Sequence, residues 1–228
     1  MTRHIPNFLT CCNLVCGCLG VVFALEGRSI PAAYFVWIAC VFDFLDGFSA
    51  RLLKVSSPIG KELDSFADMV SFGLLPSLVI YKMLVVAGAP PYLPYLAFSI
   101  AVFSAIRLAI FNLDETQADS FRGLPTPANA LLITALPLLT GMVASYLTNF
   151  WVLGGITILS SYLLVSGIEL FALKFKSFSW KENKIRFTFL VLAVLLLIGL
   201  QITAIPIIIL LYVAVSLGIR SVSKYPYF

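Results

Sequence analysis

The sequence predicts an all-α integral membrane protein with about eight transmembrane helices. Three observations lead there. Hydrophobic residues make up 61% of the 228 residues and charged residues only 11%, whereas soluble domains carry about 25% charged residues. Mean hydropathy is +1.02. The apolar residues fall in runs near the ~20 residues that a helix needs to cross a bilayer, separated by glycine, proline and charge.

The spans follow in order. The first covers about 8–25; a basic residue precedes its apolar run, but no small-x-small cleavage site follows, so it is expected to be a retained span. Gly27 and Pro31 separate it from the second, about 31–54. Ser57-Pro58 opens the third, about 58–86, with an N-cap and a proline at the first helical position. Ala87-Gly88-Ala89-Pro90-Pro91 separates it from the fourth, about 92–112. Pro125-Thr126-Pro127 opens the fifth, about 125–146, and the sixth covers about 150–173. Two shorter spans, about 185–200 and 203–220, complete the count; a single re-entrant unit around Pro206 is the less natural division. The whole chain, 1–228, is expected to be one transmembrane unit.

Basic residues set the orientation. Arg3, Arg51, Lys54, Lys61, Arg107, Arg122, Lys174, Lys176, Lys181, Lys184, Arg186, Arg220 and Lys224 fall on one side, thirteen of fifteen; only Arg28 and Lys82 fall on the other. Both termini are therefore expected in the cytoplasm of a cell-membrane protein. The net charge of +4 suits anionic lipid head groups, and nothing points to nucleic acid. Five cysteines (Cys11, Cys12, Cys16, Cys18 and Cys40) inside apolar runs are expected to be unpaired packing residues.

The chemistry concentrates between residues 43 and 68. Asp43, Asp46, Gly47, Ala50 and Arg51 end the second span; Gly60, Asp64 and Asp68 begin the third. A buried carboxylate costs about 2.5–3.5 kcal/mol at mid-membrane, so four of them require compensating charge. At about 100° per residue, Asp46, Gly47 and Ala50 fall within about 60° of Asp43, and Gly60, Asp64 and Asp68 within about 80° of each other. Two stripes on antiparallel neighbours can face one cavity. Four carboxylates suit hard, oxygen-preferring ions, Mg²⁺ or Mn²⁺, with Ca²⁺ a further candidate. Two such ions can clamp a diphosphate. Gly47, Ala50 and Gly60 leave room for a nucleotide, and Arg51 offers a fork of donors to phosphate. The alternative is a salt-bridge lattice in which Arg51, Lys54 and Lys61 neutralise the aspartates.

The pattern D-x-x-D-G-x-x-A-R-x8-G-x-x-x-D-x-x-x-D resembles the signature of the CDP-alcohol phosphotransferase family, and every specified position matches. The resemblance implies a six-helix core, here about 1–174, with the two helices at about 185–220 as an addition. It also implies a homodimer and a dimetal site open to the cytoplasm. By that analogy Asp43, Asp46, Asp64 and Asp68 bind metal, Asp68 also deprotonates the acceptor hydroxyl, and Gly47, Ala50 and Gly60 accommodate the cytidine nucleotide. The stretches Ile5–Thr10 with Asn13-Leu14, Gly60–Gly73, Arg107–Asn112 and Phe121–Ala128 resemble the serine-using branch. That branch implies CDP-diacylglycerol and L-serine as substrates. Arg107 and Arg122 are then candidates for the serine carboxylate, with Ser71, Asn112 and Thr126 as neutral hydrogen-bonding groups. Asp114, Glu115 and Asp119 are read as a solvated loop. Competing readings are another acceptor (inositol, choline, glycerol phosphate), an ether-lipid donor, a hydrolase, or a divalent-cation transporter. A histidine nucleophile is poorly supported, since His4 is the only histidine.

Overall fold

The computed structural model describes residues 4–55, 57–113, 120–171 and 180–223. Arg3, Asp114, Glu115, Asp119, Lys174, Lys176 and Lys224 lie outside the described residues. Four long helices come first: α1 (Ile5–Leu25), α2 (Ser29–Leu53), α3 (Pro58–Val86) and α4 (Leu93–Leu113). Each is long and apolar enough to cross a membrane. Gly27 and Gly88 take positive φ, 76° and 72°, in the first and third connections, a region that glycine enters without a Cβ clash. Ser57 caps α3 by accepting the Gly60 amide at 3.0 Å.

The third span is not uniform. Met69–Leu74 forms a π-helical segment, and the Leu75 amide reaches back to the Val70 carbonyl. Pro76 follows at once. Proline has no N–H and crowds the preceding turn of an α-helix; a widened turn just before it relieves both problems. Such π segments often sit at functional sites, and this one begins directly after Asp68.

The fifth and sixth spans differ from the expected limits. α5 (Thr126–Leu138) stops where Thr140 is extended and Gly141 has φ of 65°; a six-residue helix, α6 (Gly141–Tyr146), follows. Pro137, in the last turn of α5, removes a helix hydrogen bond at that point. α7 (Phe150–Val165) ends before 173, and the chain turns into strand β2 (Glu169–Phe171). β2 pairs antiparallel with β1 (Ser120–Arg122), so that Arg122 faces Glu169 along the ladder. This short ribbon is the one sheet among the described residues.

The last two spans are α8 (Trp180–Leu200) and α9 (Ala204–Ser223), joined by a turn at Gln201–Thr203. Phe189 and Tyr212 meet across them, with ring centroids 5.7 Å apart. The pair therefore folds back on itself at Gln201–Thr203.

Small residues bring the helices together, as membrane packing favours. Ala24, Ala32, Val36, Ala39, Phe72 and Leu75 are buried in one cluster that joins α1, α2 and α3. A Cβ on Gly17 would collide with Ser71, and one on Gly20 with Leu75. A second cluster joins α3, α4, α5 and α7 through Ile80, Ile100, Ile133, Leu153 and Leu164. A third seats Ile209 of α9 against Leu124, Leu132, Leu163 and Leu170. All five cysteines are free. The first cluster matters most for chemistry, because it fixes the ends of α1, α2 and α3 beside one another.

Candidate active site

α2 and α3 present the aspartates as their helical phase predicts. Oxygens of Asp43, Asp64 and Asp68 lie within 4.8 Å of one another. Asp68 is 7% exposed, and one oxygen of Asp64, Oδ1, is buried without any hydrogen-bond partner. Among the described residues no lysine or arginine lies within ion-pair distance of the four aspartates; the one ion pair found joins Arg28 to Glu26. The salt-bridge lattice is therefore not what the fold builds. Three crowded carboxylates, one buried and one with a buried, unpartnered oxygen, fit a divalent cation of the hard, oxygen-preferring kind. Asp46 stands slightly apart, and its Oδ2 accepts the Thr10 hydroxyl at 2.7 Å.

A cavity of about 910 Å³ opens beside these residues. Asp46, Gly47, Ala50, Gly60 and Asp64 line it, together with Asn7 and Thr10 of α1 and with His4, Lys54 and Lys61. A Cβ on Gly47 would meet nothing within 4 Å, so its missing side chain is open space inside the cavity. Gly60 is different. A Cβ there would stand 2.9 Å from Asn7 Oδ1 and Ser57 Oγ, so Gly60 admits α1 as much as a ligand. Arg51 is exposed at the end of α2 and does not line the cavity. Its charge sits in the last turn of that helix, where it complements the helix dipole.

The acceptor candidates divide into two groups. Arg107 and Arg122 line a second, smaller cavity of about 240 Å³ with Ile110, Phe111 and the Leu164–Gly167 stretch. Arg107 is 8% exposed, donates to the Thr126 hydroxyl at 3.4 Å, and leaves its Nε without a partner. Gly123, with φ of 74°, holds this cavity's wall; a Cβ there would collide with the Leu164 carbonyl. The structure thus brings Arg107, Arg122 and Thr126 together. Asn112 and Ser71 sit elsewhere. Asn112 donates to Ser65 at 2.8 Å, and its carbonyl accepts Lys61 at 2.7 Å, a latch between α4 and α3. Ser71 is fully buried and donates to the Asn13 carbonyl at 3.1 Å.

Sequence reasoning missed the part that α1 plays. Thr10 and Asn13 are buried polar residues, 3% and 0% exposed, in a helix whose only other amide or hydroxyl side chain is Asn7. Their spacing, three residues apart and so on one face of an apolar helix, is the signal that the sequence carries.

Residues 3–159 match the family model for CDP-alcohol phosphatidyltransferase. The chain is 33% identical over 168 residues to the CDP-diacylglycerol–serine O-phosphatidyltransferase of Bacillus subtilis, covering 73% of this chain and 89% of that protein. It is 33% identical over 174 residues to the protein of the same name from Mycobacterium bovis, covering 73% of this chain and 60% of that one. It is 31% identical over 169 residues to the archaetidylserine synthase of Methanothermobacter thermautotrophicus, covering 72% and 68%.

Proposed function

The chain belongs to the CDP-alcohol phosphatidyltransferase family, and from that premise we propose that it transfers the phosphatidyl group of CDP-diacylglycerol to the hydroxyl of L-serine, giving phosphatidylserine and CMP. The observation that carries the reading is the convergence of Asp43, Asp64 and Asp68 beside a cavity floored by Gly47. The serine branch rests on the relatives' names and on the two arginines of the smaller cavity.

Asp43, Asp46, Asp64 and Asp68 would hold two divalent cations, Mg²⁺ or Mn²⁺. Bound there, the ions supply neutralisation of the donor's diphosphate and of the charge that develops on the departing phosphate. The protein's own residues do the rest. Gly47 and Ala50 leave the space in which the cytidine nucleotide lies against α2. Lys54 and Lys61 line the same cavity and offer positive charge to the phosphates. Arg107 and Arg122 hold the serine carboxylate, an interaction that a guanidinium can make with two parallel hydrogen bonds, and Thr126 steadies Arg107. Asp68 accepts the proton of the serine hydroxyl as that oxygen attacks the phosphorus next to diacylglycerol. The new bond runs from serine oxygen to phosphorus; the bond from phosphorus to the oxygen of CMP breaks, and CMP leaves with the electron pair.

The protein sits in the cell membrane with both termini and the aspartate cavity on the cytoplasmic side, where serine and the soluble product CMP are found. Lys54, Lys61, Arg107 and Arg122 at that end support this orientation. It acts as a homodimer, as the family resemblance implies. Catalysis belongs to the helices up to about residue 174, and the α8–α9 hairpin is an addition to that core. One assay separates the acceptors: purified protein with CDP-diacylglycerol and, in turn, labelled serine, inositol, choline and glycerol phosphate. CMP release and labelled lipid are expected with serine. Labelled lipid with a different alcohol and none with serine would overturn the acceptor, and phosphatidic acid formed without any alcohol would mark a hydrolase.

A further inference from the structure

We propose that helix α1 is part of the catalytic apparatus, with Thr10 and Asn13 as positioning residues that decide which oxygens of Asp46 and Asp68 are free to meet the cations. The inference rests on the metal reading of the aspartates given above. Thr10 and Asn13 are three residues apart and share one face of α1. Each touches a different aspartate, far away in sequence. The Thr10 hydroxyl is 2.7 Å from Asp46 Oδ2 and 3.0 Å from the Pro6 carbonyl. A hydroxyl has one proton, and the ionised carboxylate is the stronger acceptor. The Asn13 side-chain amide donates to Asp68 Oδ1 at 3.2 Å. In both carboxylates one oxygen is thereby engaged by α1, and the other, Asp46 Oδ1 or Asp68 Oδ2, is left for a cation or a proton.

The surroundings hold this arrangement in place. Gly17 and Gly20 continue the same side of α1, and their missing side chains let it lie against Ser71 and Leu75. Ser71 in turn donates to the Asn13 carbonyl at 3.1 Å. Asn13 is therefore fixed through its backbone by one α3 residue while its side chain fixes another. Asn13 Oδ1 is fully buried and has no partner. A polar group left that way is costly, and here it belongs to the side chain that donates to Asp68. A purely structural asparagine would have no reason to leave it open. Groups that orient metal ligands typically matter by 10–100-fold in affinity or activity.

The test reads metal binding as well as turnover. Mn²⁺ affinity is measured by electron paramagnetic resonance on detergent-solubilised protein without substrate, together with kcat and the KM for CDP-diacylglycerol. Wild type is compared with Thr10→Val, Thr10→Ser and Asn13→Leu, with Asp64→Ala as the blank for the site. Thr10→Val and Asn13→Leu are expected to bind Mn²⁺ about 10–100-fold more weakly, with kcat falling more than the donor KM rises. Thr10→Ser keeps the hydroxyl and is expected to restore wild-type affinity. Because Thr10→Val is isosteric, it keeps the test open should Asn13→Leu fail to fold. Wild-type Mn²⁺ affinity in Thr10→Val, or equal losses in Thr10→Val and Thr10→Ser, would overturn the proposal while leaving the metal site standing. A wild type that binds no more Mn²⁺ than Asp64→Ala would overturn the metal reading, and this inference with it.

Discussion

Asp68 is the residue on which the proposed chemistry depends most. It joins the carboxylate triad, it is buried, and Asn13 engages one of its oxygens. Asp68→Asn preserves shape and removes the basic oxygen. It is expected to lower kcat by about 10²–10⁴-fold, the usual worth of a general base, while the protein still inserts and purifies; single-turnover CMP release measures this. Arg107 carries the second residue-level expectation. Its Nε lacks a partner and its cavity holds Arg122 as well. Arg107→Gln should raise the serine KM about tenfold or more, since a hydrogen bond to a charged group is worth about 1.5–3 kcal/mol, and should change the KM for CDP-diacylglycerol little. The four aspartates were legible in the sequence because helical spacing alone puts them on two stripes. Thr10 and Asn13 entered the sequence reading only within a stretch that resembles the serine-using branch, because their spacing puts them on one face of α1 but does not say which aspartate each meets. Only the approach of α1 to α2 and α3 gives them a role.

At the scale of elements, the close approach of α1 to α3 is what gathers the site. Gly17 marks the contact, because any side chain there would run into Ser71. Gly17→Leu is expected to destabilise the protein by about 1–3 kcal/mol, as overpacking of a tight contact does. It should also weaken Mn²⁺ binding by displacing Asn13 from Asp68. Thermal unfolding of the solubilised protein and a Mn²⁺ titration would check the two effects separately. The sequence made the first four spans readable, since glycine and proline punctuate them cleanly. It misplaced the ends of the fifth and sixth. There the apolar run continues through Leu139 and through Ile168, while Pro137, Gly141 and the β1–β2 pairing interrupt the helix. Hydropathy records what the bilayer tolerates; it is blind to the backbone bonds that end a helix inside it. The π segment at Met69–Leu74 was also hidden, because periodicity assumes a constant 3.6 residues per turn.

The whole molecule places its chemistry at one end of the bundle. The start of α1, the end of α2, the start of α3 and the end of α4 meet there, tied by the Thr10–Asp46 and Lys61–Asn112 hydrogen bonds. Arg28, paired with Glu26, lies in the α1–α2 connection at the opposite end. This polarity lets a lipid donor keep its acyl chains in the bilayer while its nucleotide reaches water. Cytoplasmic exposure of that end is expected to show as labelling: Lys54→Cys in a cysteine-free background should react with a membrane-impermeant maleimide in inverted vesicles and not in intact cells. Labelling in intact cells alone would reverse the orientation. A divalent-cation site built from the four aspartates, at which CDP-diacylglycerol is consumed, makes turnover depend on the cation. CMP release from CDP-diacylglycerol and serine, followed before chelation, after it, and after Mn²⁺ is added back, tests this most directly. Turnover should stop on chelation, return with Mn²⁺, and stay absent in Asp64→Ala throughout. Undiminished CMP release in the presence of excess chelator would contradict it.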